Sequence, residues 1–448
     1  MPRHITSCLH ILWDDAHMWG IMAARALRAM RIPFRLTRAG EVAAGILRRE
    51  EAALLLAPGG NARHKAESLG PAGIREIREY VAGGGRYLGF CGGAGLALTI
   101  GDISQGPGTV GAGLGLCPWK RGRFDDRLQH FMSGHLRVAL PGRDSAGADL
   151  IPASFAASPA LPVWWPGRFE PEGGEGVTIL AAYEQPGPDF WLADLAIADV
   201  PPDTFAAWNA AYGVNITPTF LAGQPCVVHG RFGAGEYVLS YSHLETPDSP
   251  EANTWLAHLC KRLAGLESAC EHLPPWPVHG PAHEQTHSGR EFAADPGGVV
   301  WDDPLLTAMA EDCEAIRLTG LRLGLLFERT DWLMGWRSGI PGASLNNFWT
   351  ALRVIRETKG QAAARAFLAQ RGEKLRDALA LFREGCTQYF LAERLAQTVS
   401  RFTPEAVSPG LLNKRRAALF GPPMRAGGLY KTIIDLLDEL AYLQLGSA

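Results

Sequence analysis

The chain has 448 residues, with 43 Lys+Arg against 46 Asp+Glu, a formal net charge of −3 and 47% hydrophobic residues. That length argues for two or three domains, and the near-neutral charge balance gives neither nucleic acid nor an anionic membrane surface a footing as partner. Eight cysteines without paired spacing indicate a reducing compartment rather than a disulfide framework, and Asp14 and Asp15 arrive too early for a secretory signal, so a cytoplasmic protein is expected. No apolar run approaches the roughly 18 residues that a membrane helix needs.

In chain order, Ile5 to Trp13 reads as a strand. Ile21, Ala24 and Leu27 recur at three-residue spacing and predict an amphipathic helix. Phe34-Arg35-Leu36 is a short strand. Ala53 to Ala57 is a continuous apolar run closed by Pro58-Gly59-Gly60, as expected of a strand buried on both faces. A helix then starts at Pro71, carries Ile74, Ile77 and Val81 on one stripe, and stops at Gly83-Gly84-Gly85. Tyr87 to Phe90 is the next strand. This alternation predicts an α/β fold with a flavodoxin-like parallel sheet and helices on both faces. From about 101 to 240, Leu136–Leu140, Val177–Ala182, Pro225–His229 and Glu236–Tyr241 read as further strands, some antiparallel, and Asn253 to Leu263 as a closing helix.

Residues 271–299 are rich in Pro, Gly and His, including Leu273-Pro274-Pro275-Trp276-Pro277, and read as a linker. Beyond it, strand signals vanish and helical stripes recur: Leu305, Met309 and Ile316; Phe348, Leu352 and Ile355; Phe367, Leu375 and Phe382; Leu436, Leu440 and Leu443. Thr403-Pro404-Glu405 looks like a helix cap followed by proline. The expected division is an α/β domain over 1–270, the linker, and a C-terminal all-helical domain over 300–448.

Gly89-Phe90-Cys91-Gly92-Gly93 sits where a strand gives way to a helix. Small residues around a cysteine there describe a nucleophile elbow, and a helix N-terminus behind the sulfur favours thiolate. A thiol nucleophile needs a base, and the base needs a group that fixes its tautomer. Ser242-His243-Leu244-Glu245, directly after a predicted strand, offers both: two residues apart at a strand end, Glu245 can hold the His243 ring. Gly59 and Gly60, with Gly92, offer unencumbered N–H groups for an oxyanion hole.

Ala57-Pro58-Gly59-Gly60, the stretch Ile74 to Gly85 and Tyr87 to Ala94, with Gly230 to Tyr237 leading into His243-Leu244-Glu245, resemble the class I glutamine amidotransferase-like superfamily. Within it the sequence is most similar to the biotin–protein ligase N-terminal domain family, over roughly residues 4 to 265. The resemblance implies Cys91 as nucleophile, His243 as base and Glu245 as the orienting carboxylate. Leu244 stands where the superfamily usually has proline, and neither a Gly-Arg-Gly-Arg-rich biotinyl-adenylate loop nor a ligase domain is evident.

Other motifs read differently. His283-Glu284-Gln285-Thr286-His287 fits the H-E-x-x-H zinc pattern, with Glu291 as a conceivable third ligand, but Pro277, Gly280 and Pro281 before it and Ser288-Gly289 after it deny it a stable helix. No metal is expected, and no organic cofactor. Gly111-Ala112-Gly113-Leu114-Gly115 lacks the strand–helix context of a dinucleotide site. Trp164, Trp165 and Arg168 lie in a Pro/Gly loop and are candidate pocket residues through stacking or anion contact, with sheet-edge packing as the alternative. Asp14 and Asp15 follow the first strand at the edge where ligands of such sheets bind, and read as pocket residues or helix caps. The expected activity is that of a cysteine-dependent amide hydrolase or amidotransferase-like enzyme on a small-molecule or amide substrate. The alternative is a non-catalytic binding or regulatory protein on the same fold. The helical domain would serve a protein partner or self-association.

Overall fold

The computed structural model describes residues 8–98, 113–122, 132–155, 158–172, 176–192, 194–213, 217–279, 299–337, 342–399, 403, 407–422 and 426–446. The chain divides into two units, Met1–Pro274 and Pro275–Ala448. The first begins with β1 (Leu9–Leu12), α1 (Met18–Ala29), β2 (Phe34–Thr37), the short helices α2 (Ala39–Ala43) and α3 (Ile46–Arg49), β3 (Leu54–Ala57), α4 (Ala62–Ala82), β4 (Arg86–Phe90) and α5 (Gly92–Ala97). It continues with β5 (Lys120–Arg121), β6 (Met132–Ala139), β7 (Ala160–Trp164), β8 (Phe169–Glu170), β9 (Val177–Pro186), β10 (Trp191–Leu192) and β11 (Leu195–Ala196). It closes with α6 (Pro202–Tyr212), β12 (Pro225–Phe232), β13 (Gly235–Ser240) and α7 (Pro250–Ala264).

Eleven of these strands form one mixed sheet, in the order β11-β10-β6-β9-β12-β13-β4-β3-β1-β2, with β7 also paired to β6. The run β2-β1-β3-β4-β13 is parallel throughout; β12, β9 and β6 then follow antiparallel. Every residue of β1 and β3 is buried, as a parallel strand covered by helices on both faces requires. β6 instead alternates buried and more exposed positions, the pattern of an antiparallel strand with one wet face. The chain leaves β1 toward β2 on one side and returns as β3 on the other, so the carboxyl ends of β1 and β3 diverge. Open α/β sheets bind ligands in such a crevice.

Helix α4 begins earlier than the sequence pattern suggests. Asn61 accepts the N–H groups of Arg63 and His64 at 2.9 and 3.2 Å, and a kink at Gly70, with φ 59° and ψ −178°, separates this first part from the stretch beginning at Pro71. Proline can start a helical stretch but cannot donate into a continuous one, so the apolar stripe from Ile74 reports only the second half. Nothing in the sequence pattern signals β7 or α6. No residue of α6 is buried, so it carries no core-facing stripe to read.

The second unit contains α8 (Pro304–Arg322), β14 (Leu326–Glu328), β15 (Met334–Trp336), α9 (Gly342–Arg356), α10 (Ala362–Val399), α11 (Pro409–Phe420) and α12 (Gly428–Leu445). It is a helical region, but the antiparallel β14–β15 hairpin corrects the all-helical expectation. Three-residue strands are too short to show a period. Gly335 lets the Phe327 ring close over this hairpin: a Cβ there would lie 2.2 Å from the ring. Leu368, Leu375, Leu379 and Phe382 bury one face of α10. In α12 the buried stripe runs through Ile433, Leu437 and Leu440, with the predicted Leu436 only half-buried. Pro404 and Glu405 of the predicted cap lie outside the described residues; α11 is capped by Ser408, whose hydroxyl accepts the Leu411 N–H. No helix among the described residues is long and apolar enough to cross a membrane.

Candidate active site

The residues that matter sit where β1, β3, β4 and β13 end together. Cys91 follows β4 and has φ 46° and ψ −105°, a left-handed conformation that a side-chain-bearing residue adopts only at a cost of order 1–3 kcal/mol. Two bonds hold it there. Its N–H donates to Ser240 O at 2.7 Å, and its carbonyl accepts the Gly95 N–H at 2.9 Å, opening α5. Such a turn lifts the side chain off the sheet, and the thiol is half-buried.

The glycines around it are demanded by close approach. A Cβ on Gly92 would lie 2.0 Å from Gly60 O, and one on Gly93 1.9 Å from Ala57 O. The β3–α4 and β4–α5 turns are thus pressed backbone to backbone. Gly60 has φ +113°, and a Cβ there would meet Asp15 O at 2.2 Å. Among the described residues the N–H groups of Gly59, Gly60 and Gly92 make no hydrogen bond.

His243 and Glu245 lie in the turn after β13 and are fully buried. Nδ1 of His243 is 2.8 Å from Glu245 Oε1, and the His243 N–H donates to Pro162 O at 2.9 Å. Nε2 of His243 and Oε2 of Glu245 are buried and make no hydrogen bond among the described residues. The face of the imidazole is covered by Trp19, with ring centroids 4.0 Å apart and planes at 35°. Gly59 closes the other approach: a Cβ there would lie 2.6 Å from His243 Cε1 and 2.9 Å from Trp19 Cγ.

The electrostatics follow from this packing. Burial pushes the His243 imidazole down, but the Glu245 carboxylate and its interaction with Cys91 outweigh burial and raise it to about 10. Burial likewise pushes the Cys91 thiol up, and interaction with His243, helped by Arg121, reverses this and holds the thiol below its usual value. Both shifts favour thiolate beside imidazolium.

The turn itself is braced from the antiparallel half. Asn253 Nδ2 donates to the carbonyls of Leu244 and Thr246 at 3.0 and 2.9 Å, and Trp164 Nε1 donates to Thr246 Oγ1 at 3.2 Å. Ser249, at the end of the turn, lies 2.9 Å from His135 Nε2, whose Nδ1 is 2.8 Å from Asp189. This Ser–His–Asp chain has its serine buried and its aspartate 41% exposed. A nucleophile needs the reverse, so the chain is a brace.

The remaining predicted pocket residues fall elsewhere. Asp14 accepts the Ala39 N–H at 2.6 Å at the start of α2, and Asp15 accepts the Ser68 hydroxyl at 2.5 Å. Both carboxylates are thereby tied to neighbouring helices. Trp164 is buried in the brace, and Arg168 donates to Gln224 at 3.0 Å. Trp165 alone of that loop reaches toward the centre: half-buried, with φ 61°, it meets Trp19 edge-on at 6.4 Å. Trp19, Arg121 and the Pro162 carbonyl escape the sequence analysis because nothing in their local pattern marks them. Residues 283–287 and 291, the zinc-type motif, and 111–112 of the glycine-rich stretch lie outside the described residues. No cluster of three or more His, Cys, Asp or Glu among the described residues could hold a metal.

A family model described as biotin-protein ligase, N terminal, matches residues 47–101. That span contains the 57–94 stretch on which the sequence resemblance rests and stops short of the His243 turn. No curated protein matches the chain. Among solved structures it is similar to a putative GMP synthase subunit protein from Thermoplasma acidophilum, at 11% identity and TM-score 0.35, covering 58% of this chain and 94% of that one. It is also similar to a putative ThuA-like protein from Bacteroides uniformis, at 14% identity and TM-score 0.32, covering 57% and 90%. A β-galactosidase from Bacillus circulans sp. alkalophilus matches at 14% identity and TM-score 0.32, covering 58% of this chain and 31% of its own.

Proposed function

We propose that the first unit is a cysteine-dependent amide hydrolase or amidotransferase-like enzyme. The observation that carries this is the fully buried His243–Glu245 pair at 2.8 Å, set beside a thiol whose proton affinity it lowers. Cys91 thiolate attacks the amide carbonyl carbon, and the oxyanion that forms is met by the N–H groups of Gly59, Gly60 and Gly92. The His243 imidazolium gives its proton to the leaving nitrogen, which departs as ammonia or an amine. His243, now neutral, takes a proton from water, which attacks the thioester and returns the acid and the free enzyme. Glu245 keeps the ring in one tautomer and stabilises its charge.

The fold, the family match over residues 47–101 and the glycine-lined turns support this reading. The test is ammonia or amine release from a panel of carboxamides, comparing the intact chain with Cys91→Ala. Release by the intact protein and its loss, by about a thousandfold or more, in the variant is expected. Equal rates for both proteins overturn the proposal, and so does the absence of release on every amide combined with an unactivated Cys91; the latter outcome favours a binding protein on the same scaffold.

A further inference from the structure

Trp19 occupies a place that core packing alone does not explain. It is the second residue of α1, buried, and it lays the face of its indole on the His243 ring at 4.0 Å and 35°. A flat aromatic face carries negative potential and attracts a cation placed over it, within about 6 Å of the ring centre. His279, the buried imidazole of the second unit, meets Trp349 at 5.0 Å and 88°, so the stacked arrangement is particular to His243. Gly59 is what permits it, since any side chain there would enter both rings. Trp165 presses edge-on against Trp19, at 6.4 Å and 86°, from a left-handed backbone position. The indole therefore has the imidazole on its face and a second indole fixing its orientation.

We propose that Trp19 is a positioning residue of this centre, whose π face holds the His243 imidazole in its charged form and in the plane that faces Cys91. The proposal rests on the reading of Cys91, His243 and Glu245 as one reacting group. The charged and titratable groups that act on the His243 ring are Glu245 from its own turn and Cys91 from the β4–α5 turn, while Arg121 of β5 acts on the sulfur. The indole adds a third stabilising contact for the cation, without charge of its own. Its loss lowers the proton affinity of His243 and returns Cys91 toward an ordinary thiol.

The experiment is the rate of alkylation of Cys91 by iodoacetamide across pH, read by mass spectrometry of the Cys91 peptide in the full chain. Wild type, Trp19→Phe, Trp19→Leu and His243→Ala are compared, each with a thermal melt. Trp19→Leu is expected to move the onset of alkylation up by about one pH unit, a tenfold slower reaction at neutral pH, with Trp19→Phe in between. That order, Trp then Phe then Leu, follows quadrupole strength; a merely structural role would follow the melting temperatures. If Trp19→Leu destabilises the fold, Trp19→Phe, which keeps a ring, carries the test. A profile unchanged in both tryptophan variants but shifted in His243→Ala overturns the role of Trp19 and leaves the Cys91–His243 coupling intact. A profile unchanged in His243→Ala overturns the coupling itself.

Discussion

His243 in the first unit and His279 in the second are both cut off from water at Nε2, yet one is held charged and the other neutral. Burial pushes both toward the neutral form, because a low-dielectric surrounding disfavours charge. At His243 the Glu245 carboxylate and the Cys91 thiol overcome it. At His279 nothing does: burial acts first, the Arg317 guanidinium adds to it, and the imidazole is pushed down to about 3. The two tryptophans differ in the same sense, face-on at His243 and edge-on at His279. Burial alone makes histidine a polar filler. Burial with a carboxylate at hydrogen-bonding distance makes it a proton carrier.

The contrast can be broken most forcibly at Glu245. Glu245→Gln removes the charge that separates the two histidines and is expected to cut amide cleavage by about a hundred- to ten-thousandfold, as the loss of an orienting carboxylate does in other triads. Cys91 alkylation should start at higher pH in the same variant. An unchanged rate and onset would mean that the carboxylate only fills space. Next in size is Gly59→Ala. Its methyl would enter the His243 and Trp19 rings, costing about 1–3 kcal/mol by overpacking, visible as a lower urea midpoint.

The pH dependence of stability sharpens the comparison further. The folded chain refuses at His279 a proton that the unfolded chain accepts between 6.5 and about 3, so stability falls as pH falls through that window. His279→Gln should flatten this acid limb in urea titrations. At the first site the raised His243 keeps a proton that the unfolded chain releases above 6.5, so by itself it contributes stability that is lost as pH rises toward about 10. The lowered Cys91 gives up a proton that the unfolded thiol keeps until about 9, and the two slopes oppose each other. Cys91→Ala removes the compensation, and a decline in stability with rising pH above 6.5 should appear. The smallest effect belongs to the brace. Ser249→Ala leaves His135 Nε2 without its partner and should cost about 1 kcal/mol.

Much of this centre is written locally. Gly89 to Gly93 announces a strand-to-helix turn with a cysteine at its tip, and the alternation of apolar runs with helical stripes announces the parallel half of the sheet. The pairing of His243 with Glu245 follows from their spacing at a strand end. The antiparallel half is less legible: β10 and β11 are two residues each, below any detectable period, and β7 carries Pro162 in its middle, which reads as a break. Proline there removes a ladder donor, but its carbonyl receives the His243 N–H.

By itself the sequence determines the kinds of element and their order, because periodicity, caps and glycine-rich turns act within a few residues of one another. It also determines which side chains are capable of nucleophilic chemistry. Only the tertiary structure decides their neighbours: that Trp19 lies on His243, that Trp165 and not Trp164 stands near the centre, and that Asp14 and Asp15 are consumed in securing helices. Those contacts join segments up to some two hundred residues apart in the chain. Such meetings are set by sheet order and backbone approach, properties of the folded whole that no local pattern of residue types records.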